Sequence, residues 1–403
     1  MKDICFHNEC TGCTACSSIC GKTAITFKQD SLGFLYPTID DDKCVECDLC
    51  RKICPNNNHL LKSFPKASYV GYAVSKEEQL SSSSGGVASV VGRYFVKSGG
   101  IVYGCSADSI DEIAHIRVDN EKELAKLKGS KYVQSNMNNC YKQVHNDLRN
   151  GKKVLFVGTP CQVAGLKSYL RKPYTNLLTM DFVCHGVPSI KILKESLKSH
   201  FSEFSTENYV LSFRRKVMRG NTYKSEFGIF IHSKKEGWVY EGYYPKNMYI
   251  TGFLSALFYR LSCYTCHYTT QERVSDITVG DYSDVSGEYD NLEGKKRLLS
   301  MISVNTYQGQ TLLKSLQDVL YIKEIDYSKI VAAQGQLRHP MKLHRGRADF
   351  EKNFTYEQFD HLVKRILNQD LKRIRKIILA TKIRNILFSI PGIKNIYKKR
   401  KKR

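Results

Sequence analysis

Eight of the fifteen cysteines repeat one pattern, C-x2-C-x2-C-x3-C: Cys10, Cys13, Cys16 and Cys20 recur 34 residues later as Cys44, Cys47, Cys50 and Cys54. Three thiolates two residues apart wrap one iron–sulfur cube, and the fourth, three residues on, points away and serves the other. Cys10, Cys13, Cys16 and Cys54 are therefore assigned to one [4Fe-4S] cluster, and Cys44, Cys47, Cys50 and Cys20 to a second. Structural zinc is the plainer alternative. Zinc ribbons use two C-x2-C pairs and leave a third cysteine at the same spacing without a role. The head is then a wire for single electrons, which by itself identifies no substrate.

Four further cysteines stand in unusual settings. Cys161 (in Gly158-Thr159-Pro160-Cys161-Gln162) and Cys184 (in Cys184-His185-Gly186-Val187-Pro188) each follow a strand-like run, and Cys263 and Cys266 form a C-x2-C pair. Strand ends of α/β sheets gather at the edge where ligands bind. The four could supply a third cluster; small buried residues or one reactive thiol are the alternatives. Cys5, Cys105 and Cys140 lack partners at ligand spacing and read as core or surface thiols. Ser81-Ser82-Ser83-Ser84-Gly85-Gly86 precedes a helix pattern, where hydroxyls, backbone N–H groups and the helix N-terminus make an anion site, or a plainly capped loop. Gly129-Ser130-Lys131-Tyr132-Val133-Gln134-Ser135 adds a cation, hydroxyls and an aromatic ring. Neither a G-x-G-x-x-G fingerprint nor a Walker loop is present, which disfavours a standard dinucleotide or ATP fold.

These groups must be held by elements. The expected architecture is α+β with α/β character: a ferredoxin-type head at 1–62, a mixed α/β body at 66–345 and a basic helical tail at 346–403. In the body, strand patterns at 69–74, 101–104, 153–158 and 177–183 alternate with helix patterns at 85–97 and 162–170, which argues for a mixed or parallel sheet. The Tyr- and Phe-rich stretch 205–245 predicts antiparallel hairpins. In the tail, Leu362, Ile366, Leu367, Leu371, Ile374, Ile377 and Ile378 recur at helical spacing, and Pro391-Gly392 breaks the pattern before the basic run Lys398–Arg403.

The net charge of +23 is mostly the tail's, since residues 361–403 hold 15 Lys/Arg against the single acid Asp370. The body is near neutral once loaded clusters subtract roughly two charges each. Basicity confined to a tail argues against nucleic acid, whose partners more often carry basic residues across a domain face. A basic amphipathic helix suggests an anionic membrane surface or a partner. No apolar run approaches ~18 residues and no secretory signal is visible, so a cytoplasmic chain, peripheral on the membrane at most, is expected.

The loop SSSSGG, the segments GSKYVQS, VGTPCQVAGL and DFVCHGVPS, and CYTCHY followed by SDITVGDYSD together resemble the coenzyme F420 hydrogenase/dehydrogenase beta-subunit family. The head resembles bacterial ferredoxins, with Pro55 after its last cysteine but Gly21 in place of the proline usual after Cys20. The family resemblance implies an iron–sulfur flavoprotein that binds FAD. It implies FAD phosphates near Ser83, Ser84, Gly85 and Gly86, and the flavin ring near Lys131, Tyr132, Gly158, Thr159 and Gln162, with Ser130 a further cofactor-binding candidate. It makes Cys161, Cys184, Cys263 and Cys266 cluster ligands.

The expected activity is electron transfer between clusters and FAD with hydride exchange at the flavin, involving coenzyme F420 or another small molecule, and ferredoxin or another one-electron partner. Lys131, Asp181 and His185 are the candidate catalytic residues; for His185 a structural hydrogen bond beside the cluster is the alternative. Asp276 and Asp281 mark a strand end near the site or cap a turn, and Arg214 and Arg215 bind an acidic substrate or cover a surface. Two rival readings are a non-catalytic electron-transfer subunit and a binding protein with purely structural metal.

Overall fold

The structure, a computed structural model, describes residues 3–201, 209–219, 222–233, 235–282 and 298–389. The head contains one antiparallel hairpin, β1 (Ile25–Gln29) and β2 (Leu35–Ile39), in register from Ile25↔Ile39 to Gln29↔Leu35. Its turn plugs into the body. Leu32 and Phe34 are buried in one core with Ile192, Leu193 and Phe258. The Ser189 hydroxyl donates to Leu32 O, and Lys191 Nζ to Ser31 O at 2.9 Å. The head is therefore docked against the body, not tethered by the linker alone.

The body strands are β3 (Ala67–Ala73), β4 (Ile101–Ser106), β5 (Ala114–Val118), β6 (Val154–Gly158) and β7 (Leu177–Phe182), then β8 (Tyr209–Arg219), β9 (Thr222–Ser233) and β10 (Gly237–Tyr243), then β11 (Ile277–Tyr282), β12 (Leu299–Val304) and β13 (Leu320–Glu324). Eight of them form one sheet in the order β13-β3-β12-β11-β7-β6-β4-β5. The centre, β11-β7-β6-β4, is parallel, and the flanking pairs are antiparallel. Both faces are covered, as parallel strands require. Ile101, Tyr103, Val154 and Phe156 pack on one face, with helices Cys140–Arg149 and Pro160–Leu170. Val102, Leu155, Leu178 and Met180 pack on the other, with helix Val87–Lys97. This alternation fixes which side chains of each strand can reach a site. The expected hairpins over 205–245 appear as the antiparallel sheet β10-β9-β8, as far as the described residues go.

The first part of the tail packs on the body. Helices Arg347–Asn353 and Phe359–Ile366 pack Phe350, Phe359, Leu362 and Val363 into the same core as the head's Leu32. Helix Asn368–Ser389 starts on that core through Leu371, then leaves Ile377, Leu379, Ile383, Ile386 and Leu387 exposed. Three- and four-residue steps from Leu371 reach Ile374 and Ile378, whereas Leu379, Ile383 and Leu387 lie on another side of the cylinder. The expected single apolar stripe is therefore absent beyond Ile378. Among the described residues no helix is long and apolar enough to cross a membrane. Pro391-Gly392 and Lys398–Arg403 lie outside the described residues.

Candidate functional site

Cys10, Cys13, Cys16 and Cys54 line one small hollow in the head, the grouping that the crossed spacing predicts. Helix Ala15–Ile19 carries Cys16, and Cys54 arrives just beyond helix Leu49–Lys52. Cys5 also lines this hollow, although its spacing marks it as an isolated thiol. A hydrogen bond from Cys5 holds the pKa of the Cys10 thiol down, helped by the Arg260 charge and opposed by burial. Cys20 stands near enough to Cys50 to add like-charge repulsion, as the second grouping requires. Cys47 is exposed, which places the second set on the outside of the protein.

A cavity of about 440 Å³ opens where the parallel strands end. Its wall takes Gly158, Thr159, Cys161 and Gln162 from the end of β6 and the following helix, and Cys184 and His185 from the end of β7. Loops add Ser83, Ser84 and Gly86, then Ser130, Lys131 and Tyr132, and finally Cys263 and Cys266. Volumes of ~300–1,000 Å³ are typical of ligand sites, and strand ends are their usual place.

The serine loop leads into helix Val87–Lys97. Gly86 takes φ +90° as N-cap of helix Val87–Lys97, a conformation that favours glycine. Ser83 Oγ accepts from Ser130 N at 2.8 Å, tying the two loops together, and Ser84 Oγ donates to Leu299 O at 2.8 Å. Ser82 Oγ is buried, lines the cavity and has no hydrogen-bond partner among the described residues. A hydroxyl is seldom left so unless a ligand or water completes it. Gly85, expected at the phosphates, does not line the cavity. A Cβ there would come within 2.6 Å of Gly71 O, so its role is close packing on β3.

Four cysteines converge from separate segments. Burial first, then the neighbouring thiols, push Cys161, Cys184 and Cys263 up, the last to about 12. A free set of this kind resists ionisation, and a bound iron core would stabilise the thiolates. Four thiols sharing one wall are a donor set of the type that holds an iron–sulfur cluster.

The catalytic candidates separate. His185 lines the cavity, where burial lowers its pKa while Asp281 opposes that shift. Lys131 lines it too, but its ammonium donates to Leu127 O at 3.0 Å and Lys128 O at 2.7 Å, closing a short helical turn. Asp181 is not in the wall. It lies between Met180 and Phe182 on β7, whose side chains face the cavity, so its own points to the other face. There it is fully buried and pairs with Arg273 at 3.0 Å. Gln162 is also committed: Oε1 accepts from Thr159 N, and Nε2 donates to Ser135 Oγ, both at 2.9 Å.

Arg214 reaches Asp281 at 2.6 Å and lies over the Phe227 ring, all three in the cavity wall, whereas Arg215 pairs with Glu241 outside it. Asp276 accepts from Thr179 N at 2.8 Å and is a buried strap. Tyr132 stacks on Phe253 with ring centres 4.6 Å apart.

Cys105 and His115 also line the cavity, and sequence reasoning missed both. They face each other in the β4–β5 register, a pairing that no local spacing reveals. His115 bridges Val157 O at 3.0 Å and Ser135 Oγ at 2.9 Å, and burial pushes its pKa down to about 4. The unfolded chain protonates this ring near 6.5 and the folded one resists until about 4, so unfolding takes up a proton between those values. Stability should fall by about 3 kcal/mol as pH drops through that window and level below it. Urea melts from pH 7 to 4 should show this slope flattened in His115→Gln; an equal slope would contradict it.

The repeated head cysteines mark an iron–sulfur electron-transfer protein. Residues 9–58 match the family described as 4Fe-4S dicluster domain. Residues 151–329 match the family described as the C terminus of the coenzyme F420 hydrogenase/dehydrogenase beta subunit. Residues 151–329 are thus similar to the C-terminal region of that beta subunit, and they follow a dicluster-type head. A solved structure of the F420-reducing [NiFe] hydrogenase complex from Methanosarcina barkeri, derivatised with xenon, is similar at 14% identity, covering 78% of this chain and 93% of that one, with a TM-score of 0.45. A search of curated proteins gives no match.

Proposed function

We propose that the chain is a cytoplasmic iron–sulfur flavoprotein oxidoreductase, passing electrons between its clusters and a small-molecule hydride partner by way of FAD. One observation carries this reading: the anion loop and the four body cysteines line the same cavity. Cys161, Cys184, Cys263 and Cys266 would hold a third [4Fe-4S] cluster. FAD, when bound, supplies the exchange between a two-electron hydride and single electrons.

The chain's own residues do the rest. Ser82 and the backbone N–H groups opening helix Val87–Lys97 would hold a phosphate. Tyr132, Phe227 and Phe253 give an apolar wall for a flat ring. Arg214, steered by Asp281, would present a fixed cation to an acidic partner, and His185, in the cavity wall, would move a proton. Lys131 and Gln162 hold their loops in shape.

The test is an anaerobic titration of the purified chain with reduced coenzyme F420 and, separately, with reduced ferredoxin, following flavin bleaching. Bleaching by either supports the reading and identifies the donor; the absence of any bound flavin would sink it. Ser82→Ala should weaken FAD binding about tenfold or more, the loss of a hydrogen bond to a charged group. A fluorescence titration checks this, and unchanged affinity would remove the serine loop from the phosphate site.

A further inference from the structure

Arg260 is only 1% exposed, and among the described residues no carboxylate is its partner. Its Nε donates to Cys10 O at 2.6 Å, and its Nη2 to Leu35 O at 2.9 Å and to Cys10 Sγ at 3.5 Å. Its Nη1 reaches Gln134 Oε1 at 3.3 Å, and the guanidinium lies over the Tyr36 ring at 4.2 Å. A buried cation is costly unless an anion lies beside it. The anion on offer is the sulfur of Cys10, and behind it the net negative charge of a four-thiolate cluster.

The backbone of Arg260 belongs to the body. Its N–H donates to Val187 O at 2.9 Å, in the segment that carries Cys184, and its carbonyl accepts from Cys263 N at 2.9 Å. One residue thus touches the first head set and two of the three segments of the body set. Gly12 accommodates it, since with φ +68° a Cβ there would stand 2.9 Å from Arg260 Nη1. Cys13 faces the body as well; a Cβ on Gly165, in the helix that carries Cys161, would come within 3.0 Å of its sulfur. The second set has a weaker counterpart. Arg51, beside Cys50, is partly exposed and paired with Asp48 at 2.5 Å.

We propose that Arg260 is a positioning residue that clamps the first head cluster against the body and raises its reduction potential above that of the outer cluster. Hydrogen bonds to cluster sulfurs and nearby charge set such potentials. The reading rests on Cys10 being a cluster ligand. One electron from a one-electron donor protein enters at the exposed second cluster, passes to the first and leaves to the body cluster. No bond forms or breaks, and the donor is oxidised by one electron.

The test is an EPR-monitored redox titration of the anaerobically purified full chain, wild type against Arg260→Gln and Arg260→Lys. The first cluster's signal is identified by its loss in Cys54→Ser. In Arg260→Gln the first cluster's reduction equilibrium should shift at least tenfold towards the oxidised form, about 59 mV for one electron, with the second cluster unmoved. Arg260→Lys keeps the charge and should shift it less. In both, head amides around Cys10 and Leu35 should exchange hydrogen faster.

A first cluster that keeps its potential in Arg260→Gln, or two clusters that shift equally, would overturn the proposal. If Arg260→Gln does not fold, Arg260→Lys decides. Faster head exchange with a smaller than tenfold shift supports the clamp, and unchanged exchange overturns it. A wild-type head without clusters would instead fail the ligand reading, and that is visible before any variant is made.

Discussion

Cys54→Ser should strip one [4Fe-4S] cluster from the head, the one shared with Cys10, Cys13 and Cys16, and leave its neighbour in place. The four line one hollow although Cys54 is 38 residues beyond Cys16 in the chain. Iron should drop by about 4 atoms per chain. The crossed arrangement also makes a double-variant prediction. Cys13→Ser with Cys54→Ser should lose no more iron than either change alone, because both act on one cube. A sequential arrangement, in which each repeat holds its own cluster, would make the double loss twice the single one. Iron analysis together with the EPR spin count decides between them.

Cys266→Ser should separate the two halves of the reaction. The four body cysteines come from three separate segments and meet in one wall, so losing one would remove the proposed third cluster without removing the serine loop or the aromatic wall. Reduction driven by a one-electron donor should fall about a hundredfold or more, upwards of ~2.7 kcal/mol on the barrier. Exchange of a hydride between flavin and the small-molecule partner should stay within a few-fold of wild type. Stopped-flow measurement of each half-reaction checks this. Equal losses in both would mean that Cys266 shapes the cavity and does not conduct.

The sequence made these groups legible to different depths. The head cysteines were readable because the ligand rule is local: spacing alone decides which sulfur faces which cube. The cavity was readable from VGTPCQ and DFVCHG because a motif that follows a strand lands on the sheet's ligand-binding edge. The side of the sheet was not. On β7 the period of two carries Asp181 away from the cavity while Met180 and Phe182 face it, and one strand alone does not set that phase.

Arg260 was invisible for a different reason. It sits between Tyr259 and Leu261 with no spacing to mark it, and its partner Cys10 is 250 residues away. Cys5 lies just ahead of the repeat, and the docked fold brings it into the first hollow. In the tail the helical period was legible through Ile378. The point where packing ends, just after Leu371, depends on which faces of the body remain uncovered.

The most direct measurement is iron and flavin content of the chain purified without oxygen, with Mössbauer spectra to type the iron. The account predicts about 12 iron atoms in [4Fe-4S] form and about one FAD per chain. Zinc in place of iron, or iron without a yellow chromophore at any stage of reconstitution, would contradict it.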